Sequence, residues 1–344
     1  MPMTALPVST VPNPNEAPVL RWGILGPGWI ADRFAESLAK NSTQQVVAVA
    51  SRSGDRAAEF AGRHSLPTSY GSYGALLADP DIDIVYIATP HTEHHTNALA
   101  SIAAGKHVLV EKPLAVDASR AAEIGAAGAE AGVFVGEAMW TKFLPKFDVL
   151  RQIVDNGVLG PIRTVLVDHG EYFTTDHRIY DPALAGGPLL DLGTYDASFV
   201  HAVLGVPESI IAVGQPANDE LNGQVSAVLS HTGGNHSVMN TTILSNTPTS
   251  ATICGRDGTL TIEGPFFMPG SFTVTLRRGE KLEYREDKGV QVDGLHYAAV
   301  DAARAIGEGR LESSVHTIED AVQTLAIIDA IRRQLGITDG PFAR

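Results

Sequence analysis

The chain has 344 residues, of which 44% are hydrophobic and 19% are charged, a composition typical of a globular protein with about two domains. Its formal net charge of −14 argues against nucleic acid as a partner, since nucleic-acid binders usually carry a basic patch. A single cysteine, Cys254, excludes an internal disulfide and a thiolate-rich zinc site.

Residues 1–18 are rich in proline and small polar residues and contain no Lys or Arg. This composition predicts a flexible tail and does not match a secretory signal. Elsewhere no uninterrupted apolar stretch approaches the ~20 residues of a membrane helix. We therefore expect a cytoplasmic protein with no membrane partner.

Apolar runs alternate with amphipathic stretches through residues 19–137. Strands are predicted at 19–25, 45–51, 82–89, 107–111 and 133–137, and helices at 29–40, 55–64, 73–78, 93–104 and 118–131. Nearly continuous apolar strands that alternate with helices are typical of a doubly wound parallel sheet. The sequence therefore predicts an α/β protein that opens with a Rossmann dinucleotide-binding domain over 19–137.

The pattern changes near residue 138, where alternating strand character becomes dominant. Strands are predicted at 164–169, 210–213, 224–231, 237–244, 259–263 and 271–276, and helices at 146–156, 187–204, 297–307 and 318–335. Short connections between such strands favour antiparallel pairing. Residues 138–344 are therefore predicted to form an α+β domain with a large, mainly antiparallel open sheet for substrate binding and oligomerisation, whose last helices pack back on the first domain.

A glycine-rich turn, Gly26-x-Gly28-x-x-Ala31, directly follows the first predicted strand and opens the first helix. Gly26 permits the tight turn, Gly28 lets the backbone approach a pyrophosphate, and Ala31 keeps the helix close to the sheet. The first helical residues, Trp29 and Ile30, then offer unpaired N–H groups to the phosphates. This combination predicts a bound dinucleotide.

The end of the second strand refines the prediction of the cofactor. NAD enzymes usually place Asp or Glu there for the ribose 2′-hydroxyl, whereas this chain has Ser51, Arg52 and Ser53. An arginine with two hydroxyls favours the 2′-phosphate of NADP. Stacking of Arg52 on the adenine is the alternative, and Asp55 leaves room for NAD as well.

Two further stretches carry chemistry. Glu111-Lys112-Pro113 ends the strand at 107–111, on the edge of the sheet where ligands of open α/β sheets bind. A second stretch places Asp191 and Tyr195 four residues apart, which is one face of a helix if the helix begins near Gly187. Asp191 and Tyr195 are then expected to point into a shared cleft.

Seven stretches together resemble the glucose–fructose oxidoreductase/inositol dehydrogenase (Gfo/Idh/MocA) family, over nearly the whole chain after residue 18. They read GILGPGWIA, AVASRS, ATPHTEHHTNAL, AGKHVLVEKPLA, GEAMWTKFLP, AGGPLLDLGTYD and RLESSVHTIEDAV. The last four look most like the branch with dimeric dihydrodiol dehydrogenase and NADP-dependent D-xylose dehydrogenase. The pairing of an EKP motif with a D-x-G-x-Tyr motif is specific to few families.

The resemblance implies hydride transfer between NADP and a carbinol carbon of a sugar, polyol or related diol. Lys112 would lie beside the nicotinamide and polarise the reacting oxygen, Tyr195 would be the acid/base, and Asp191 would support them. The Lys112–Pro113 bond is expected to be cis. Because a nearby ammonium favours phenolate, we expect the pKa of Tyr195 to move from about 10 towards neutrality.

The resemblance also assigns residues around this pair. One group is expected to line the cofactor and the other the substrate, with no metal in the reaction. The cofactor group consists of Gly26, Gly28, Trp29, Ile30, Ser51, Arg52, Ser53, Thr89, Pro90, His91, His94, Glu111, Lys112 and Trp140. The substrate group consists of Lys112, Tyr172, Arg178, Asp191 and Tyr195, and His177 is expected near one of the loops that build the pocket. Ala298 departs from the branch, in which a glutamate is common at that position.

Two alternatives remain open. One is a tightly held NAD that oxidises a sugar transiently so that a glycosidic bond can be eliminated. The other is a non-enzymatic regulator that senses a sugar or cofactor, which would be expected to have lost Lys112 or Tyr195. The open sheet is predicted to pair subunits as a homodimer or homotetramer, because its apolar face would otherwise be an exposed patch.

Overall fold

The computed structural model describes residues 5–218 and 221–337. The first part is an alternation of strands and helices. Its strands are β1 (Arg21–Leu25), β2 (Gln45–Ala50), β3 (Thr68–Tyr70), β4 (Ile84–Ile87), β5 (His107–Glu111) and β6 (Val135–Ala138), and its helices are α1 (Trp29–Asn41), α2 (Gly54–His64), α3 (Tyr73–Leu77), α4 (His94–Ala103) and α5 (Ala118–Ala131).

These six strands form one parallel sheet in the order β3-β2-β1-β4-β5-β6. Strand β4 is buried along its whole length because helices cover both faces. The strand order reverses between β1 and β4, which is the position where such sheets open a ligand crevice. The turns that follow β1, β2, β4 and β5 all lie at this carboxyl edge.

The second part is a sheet of eight strands in the order β14-β13-β12-β11-β7-β10-β9-β8. Within this second sheet, only the β7–β10 pair is parallel among the described residues. Its strands are β7 (Ile162–Gly170), β8 (Ser209–Pro216), β9 (Asn222–His231), β10 (Asn235–Thr242), β11 (Ala251–Gly255), β12 (Gly258–Ile262), β13 (Phe272–Leu276) and β14 (Lys281–Tyr284). This mainly antiparallel sheet beside a Rossmann sheet confirms the predicted fold class.

The remaining helices connect the two sheets. They are α6 (Pro145–Asp155), α7 (Pro188–Asp191), α8 (Gly193–Leu204), α9 (His296–Gly307) and α10 (Ile318–Gln334). Helix α8 packs on β7 and β10, while α10 packs on α5 and α8. Helix α10 thereby joins the domains, and its Asp329 accepts a hydrogen bond of 2.9 Å from the N–H of Ala118.

Strands β3, β11 and β14 were not predicted, and two further differences concern the tail and one helix. The described part of the predicted flexible tail lies against α6, where Thr10 N donates to Asp148 Oδ2 at 2.6 Å and Ser9 Oγ donates to the same oxygen. The helix predicted over 187–204 is broken at Leu192 into α7 and α8. Among the described residues, no helix is long and apolar enough to cross a membrane, and the cytoplasmic location stays a prediction.

Candidate functional site

The glycine turn between β1 and α1 has the geometry that a dinucleotide requires. Gly26 has φ +92°, and a Cβ there would lie 2.9 Å from the carbonyl oxygen of Ala88. Gly28 is the N-cap of α1, and no side chain caps this helix. The N–H groups of Trp29 and Ile30 are therefore left for an anion at the N-terminus of α1. These features fit the pyrophosphate of a dinucleotide.

The end of β2 presents two hydroxyls and a cation. Ser51 Oγ accepts from the N–H of Ser53 at 3.1 Å, and Ser53 Oγ accepts from the N–H of Arg56 at 3.4 Å as the N-cap of α2. Each hydroxyl keeps its own hydrogen to donate. Arg52 between them is exposed. The three residues therefore offer donors at the edge of the sheet, next to the glycine turn.

Two residues of the predicted cofactor group instead hold loops together. His94 is fully buried, and its ring nitrogens lie 2.9 Å from Thr89 O and 2.8 Å from Pro113 O. The buried Glu111 carboxylate accepts from the hydroxyl of Tyr86 and from its neighbour's backbone N–H. These contacts fix the ends of β4 and β5, and the predicted contact of His94 and Glu111 with the cofactor stays a prediction.

Lys112, Asp191 and Tyr195 are brought together where the two domains meet. Lys112 Nζ lies 2.8 Å from Asp191 Oδ1, and 5.0 Å from the centroid of the Tyr195 ring. The Lys112 and Asp191 side chains are 12% and 15% exposed, so the pair is largely shielded but open on one side. The peptide bond Lys112–Pro113 is cis, as the resemblance implies.

The break in the predicted helix has a direct cause in this contact. Lys112 Nζ also donates to the carbonyl oxygen of Asp191 at 2.7 Å. In an uninterrupted helix that oxygen would accept from the N–H of Tyr195. Here the N–H of Tyr195 donates instead to Leu192 O at 3.1 Å. Lys112 therefore binds a carbonyl oxygen that would otherwise accept a hydrogen bond within the helix.

The charges of the pair support each other. Burial disfavours charge on both side chains, but the Asp191 carboxylate outweighs burial and raises the pKa of Lys112. The ammonium in turn holds the pKa of Asp191 well below its ordinary value. The site therefore contains a stable ammonium–carboxylate pair, with the ammonium directed at the face of Tyr195.

Tyr195 lies in an apolar pocket with one hydrogen bond to its oxygen. Trp140 Nε1 donates to the Tyr195 hydroxyl at 3.0 Å, and the ring of Phe267 stacks on Tyr195 at 4.6 Å. Burial raises the pKa of Tyr195 to about 12, although the Lys112 ammonium acts in the opposite direction. The expected shift towards neutrality is therefore wrong for the described site, because desolvation outweighs the ammonium.

The predicted substrate residues lie on the outer side of this centre. Arg178 Nη2 lies 3.1 Å from Asp191 Oδ2 and is half-exposed. Tyr172 is 59% exposed, and its backbone N–H donates to Asn246. The ring of His177 stacks on Phe173 at 4.6 Å. Arg178 thus belongs to the same charged cluster as Lys112, whereas a substrate role for Tyr172 and His177 stays a prediction.

Sequence reasoning missed two residues of the site. His169 on β7 is buried, its ring lies 4.6 Å from Phe267 and 5.7 Å from Tyr195, and neither ring nitrogen has a hydrogen-bond partner among the described residues. Burial lowers the pKa of His169 to about 4. Alternation along β7 signals that His169 faces inward, but Phe267 lies in a loop that carries no pattern.

His91 lies near the charged groups of the site, since Asp191, Lys112 and Arg178 all act on its charge. Its ring is buried and Nδ1 has no partner within the described chain, while burial holds the pKa of His91 well below its ordinary value. His95, in the same segment, is directed away and pairs with Glu123 at 2.9 Å. No group of three or more metal-ligating side chains occurs within residues 5–218 and 221–337.

Comparison with known proteins places this site in a family. A model described as "Oxidoreductase family, NAD-binding Rossmann fold" matches residues 20–139, and one described as "GFO/IDH/MocA C-terminal domain" matches residues 147–261. Trans-1,2-dihydrobenzene-1,2-diol dehydrogenase of Bos taurus is 35% identical over 330 residues, covering 93% of this chain and 98% of the relative. The enzyme of that name from Homo sapiens is 33% identical with the same coverage.

Solved structures share the fold over nearly the whole chain. Levoglucosan dehydrogenase in complex with NADH and levoglucosan superposes with a TM-score of 0.84 at 20% identity, covering 92% of this chain and 97% of that one. A 3-ketoreductase from Actinomadura kijaniata in complex with TDP-benzene and NADP superposes with a TM-score of 0.79 at 24% identity, covering 92% and 98%. At these identities the likeness concerns the fold.

Proposed function

Because the chain belongs to the Gfo/Idh/MocA family of oxidoreductases, whose Rossmann domain binds NAD(P), we propose that it transfers a hydride between NADP and a carbinol carbon of a sugar, polyol or related diol. The observation that carries the proposal is the contact of Lys112 with both Asp191 and the ring of Tyr195, at the edge of the sheet that carries the glycine turn. Family membership confirms the expected enzyme class and cofactor class.

The substrate class is supported by the relatives and by the polar groups around Tyr195. The curated relatives are named for a dihydrodiol, and one structural neighbour is described with levoglucosan. In this chain Lys112, Arg178 and Asp191 place donors and an acceptor around the tyrosine, while Phe267 and Trp140 supply apolar walls. Such a pocket suits a small molecule with several hydroxyls.

Each residue of the site has a separate role in the proposed reaction. When bound, the nicotinamide would supply the hydride as NADPH or accept it as NADP⁺. Tyr195 holds the proton that the substrate oxygen gains on reduction and takes it back on oxidation. Lys112 donates a hydrogen bond to the same oxygen and stabilises its negative charge. Asp191 keeps the ammonium charged and aimed, while Trp140 fixes the tyrosine hydroxyl by donating to it.

Preference for NADP rests on the end of β2. Arg52 is an exposed cation flanked by two serine hydroxyls, and no carboxylate occupies the position that receives a ribose 2′-hydroxyl in NAD enzymes. A phosphate is matched better by a guanidinium than by a point charge, because it accepts two parallel hydrogen bonds. The chain therefore binds NADP in preference to NAD.

The open face of the large sheet supports a homodimer, which can pair further into a tetramer. Four apolar residues stand in one cross-strand row on this face: Leu166, Val238, Val228 and Ile211. They are exposed by 44%, 37%, 44% and 70%. A second copy presenting the same row buries this patch symmetrically.

The experiment that tests the activity is a panel of aldoses, polyols and trans-dihydrodiols, each incubated with NADP and with NAD while the absorbance of the reduced nicotinamide is followed. The proposal predicts net reduction of NADP by at least one member. Substrate cleavage with no change in bulk cofactor would instead indicate a tightly held NAD. Binding of sugar or cofactor with no turnover in either direction would indicate a regulator and contradict the proposal.

A further inference from the structure

The loop that carries Lys112 is held by buried side chains on both sides. Glu137 Oε1 on β6 accepts from the backbone N–H of Leu114 at 2.7 Å. His94 lies 2.8 Å from Pro113 O. Lys112 stands one residue before this pair of contacts, so its backbone is fixed from the β4 side and from the β6 side.

The Glu137 carboxylate is in turn held by the second domain. Its other oxygen, Oε2, lies 2.6 Å from His316 Nε2, and the two side chains are 2% and 1% exposed. His316 belongs to the segment before α10, where its backbone N–H and that of Val315 donate to Ser313 Oγ. A chain of contacts therefore runs from His316, in the segment before α10, through Glu137 to the backbone N–H of Leu114, two residues after Lys112.

We propose that Glu137 and His316 form a positioning pair that aims Lys112, an inference that rests on the proposed function of Lys112. A buried carboxylate deprived of one partner is strongly disfavoured and changes its conformation or takes up a proton. Without His316, Glu137 no longer presents Oε1 to the N–H of Leu114. The loop then moves, and Lys112 Nζ loses its contacts with Asp191 O and Oδ1.

The pair affects the rate of the reaction because Lys112 must be positioned accurately to bind the reacting oxygen. A displacement of about 1 Å in a catalytic group costs on the order of 100-fold in rate. The glycine turn and the end of β2 make no hydrogen bond to Glu137 or His316 in the part of the chain that the structure describes. Loss of the pair is therefore expected to lower kcat and to leave the KM for NADP unchanged.

The test is a double-mutant cycle on kcat with the best substrate of the panel. His316→Leu breaks the pair, and we expect it to lower kcat by about tenfold to a hundredfold in the wild-type background. This is the range found when a residue that orients a metal-binding side chain is lost. In the Lys112→Met background it should have almost no further effect, because the residue it positions is gone. His316→Gln keeps an N–H donor for Glu137 and should restore most of kcat.

Controls separate positioning from general stability. His231 on β9 is also buried and makes one side-chain contact, with Ser237 Oγ at 2.9 Å. His231→Leu should leave kcat unchanged even where it lowers the melting temperature. If His316→Leu does not fold, Glu137→Met replaces it in the same cycle, because methionine has a similar volume but cannot hold Leu114 N–H or His316 as the carboxylate does, and a loss of kcat confined to the wild-type background is again expected.

Three results overturn the inference: an unchanged kcat in the variant that breaks the pair, an equal loss in both backgrounds, or a rise in the KM for NADP in place of the fall in kcat. If Lys112→Met leaves too little turnover for the cycle, the test is the effect of His316→Leu on kcat and on the KM for NADP in the wild-type background. A lower kcat with an unchanged KM supports the inference, and any other result contradicts it. Full turnover by Lys112→Met itself contradicts the proposed function and is distinguishable from all three.

Discussion

Lys112 is the residue on which the chemistry of the site converges. Its ammonium contacts a carboxylate oxygen and a carbonyl oxygen of Asp191 and lies over the Tyr195 ring. The presence of an EKP motif and of Asp191 and Tyr195 is visible in the sequence. The contact between them cannot be read from the sequence, because 79 residues separate Lys112 from Asp191 and no local pattern indicates that the two side chains meet.

The raised pKa of Tyr195 predicts the pH dependence of the two directions. Oxidation needs the phenolate to accept a proton, and below a pKa of about 12 the phenolate fraction rises roughly tenfold per pH unit. We expect kcat/KM for oxidation to rise between about pH 7 and 10, and kcat/KM for reduction, which needs the phenol, to stay level there. Steady-state rates in both directions test this. A flat oxidation profile, or a rise that survives in Tyr195→Phe, would contradict it.

Arg52 predicts the selectivity between cofactors. Arg52→Ala removes the cation beside the expected 2′-phosphate and should raise the KM for NADP by about tenfold or more, with little change for NAD. Arg285→Ala is the matched control, because Arg285 is an exposed arginine on the far sheet that pairs with Glu283. Equal effects of Arg52→Ala on the KM for NADP and for NAD would contradict the binding of the 2′-phosphate by Arg52.

At the scale of elements, the Rossmann strands were predicted well because buried parallel strands form continuous apolar runs. The three-residue strand β3 was not predicted, because so short a segment at the sheet edge shows no periodicity. The break between α7 and α8 escaped for a different reason. Helical spacing continues through Leu192, and the cause of the break is the side chain of Lys112, which directly follows β5.

The glycine turn supplies a prediction at this scale. Gly26→Ala places a Cβ at φ +92° and 2.9 Å from Ala88 O. Gly105→Ala, in the α4–β5 loop, has φ +73° with nothing within 4 Å. Left-handed backbone costs an alanine roughly 1–2 kcal/mol, so both variants should be less stable, but only Gly26→Ala should weaken NADPH binding. Thermal unfolding and a fluorescence titration measure the two effects, and equal cofactor affinity in both variants would contradict the assigned role of the turn.

At the scale of the whole molecule, the large sheet packs one face on α8, and no element of the described chain covers the row of exposed apolar residues on the other face. Alternation along its strands predicts this division, and the register adds that the exposed apolar residues form one row. What the sequence does not report is the packing of residues 5–18 on α6, since a segment rich in proline shows no amphipathic pattern. Its contacts depend on Asp148, a residue of the second domain.

The exposed row predicts the oligomeric state. Val238→Asp places a charge in the middle of the row, and we expect the dimer to dissociate because an unpaired buried charge is strongly disfavoured in an interface. Val290→Asp, at a half-exposed valine outside both sheets, is the matched control. Sedimentation velocity should give dimers for the wild type and the control and monomers for Val238→Asp. A monomeric wild type would contradict the proposed interface.

The most direct test of the account is the rate of hydride transfer in Lys112→Met and Tyr195→Phe, measured as reduced nicotinamide with the best substrate. Lys40→Met and Tyr70→Phe are matched controls, because both residues bind a carboxylate away from the site, Lys40 on Asp293 and Tyr70 on Asp79. The account predicts a loss of about a hundredfold or more in each site variant with NADPH binding retained, and no loss in the controls. Wild-type rates in both site variants would contradict it.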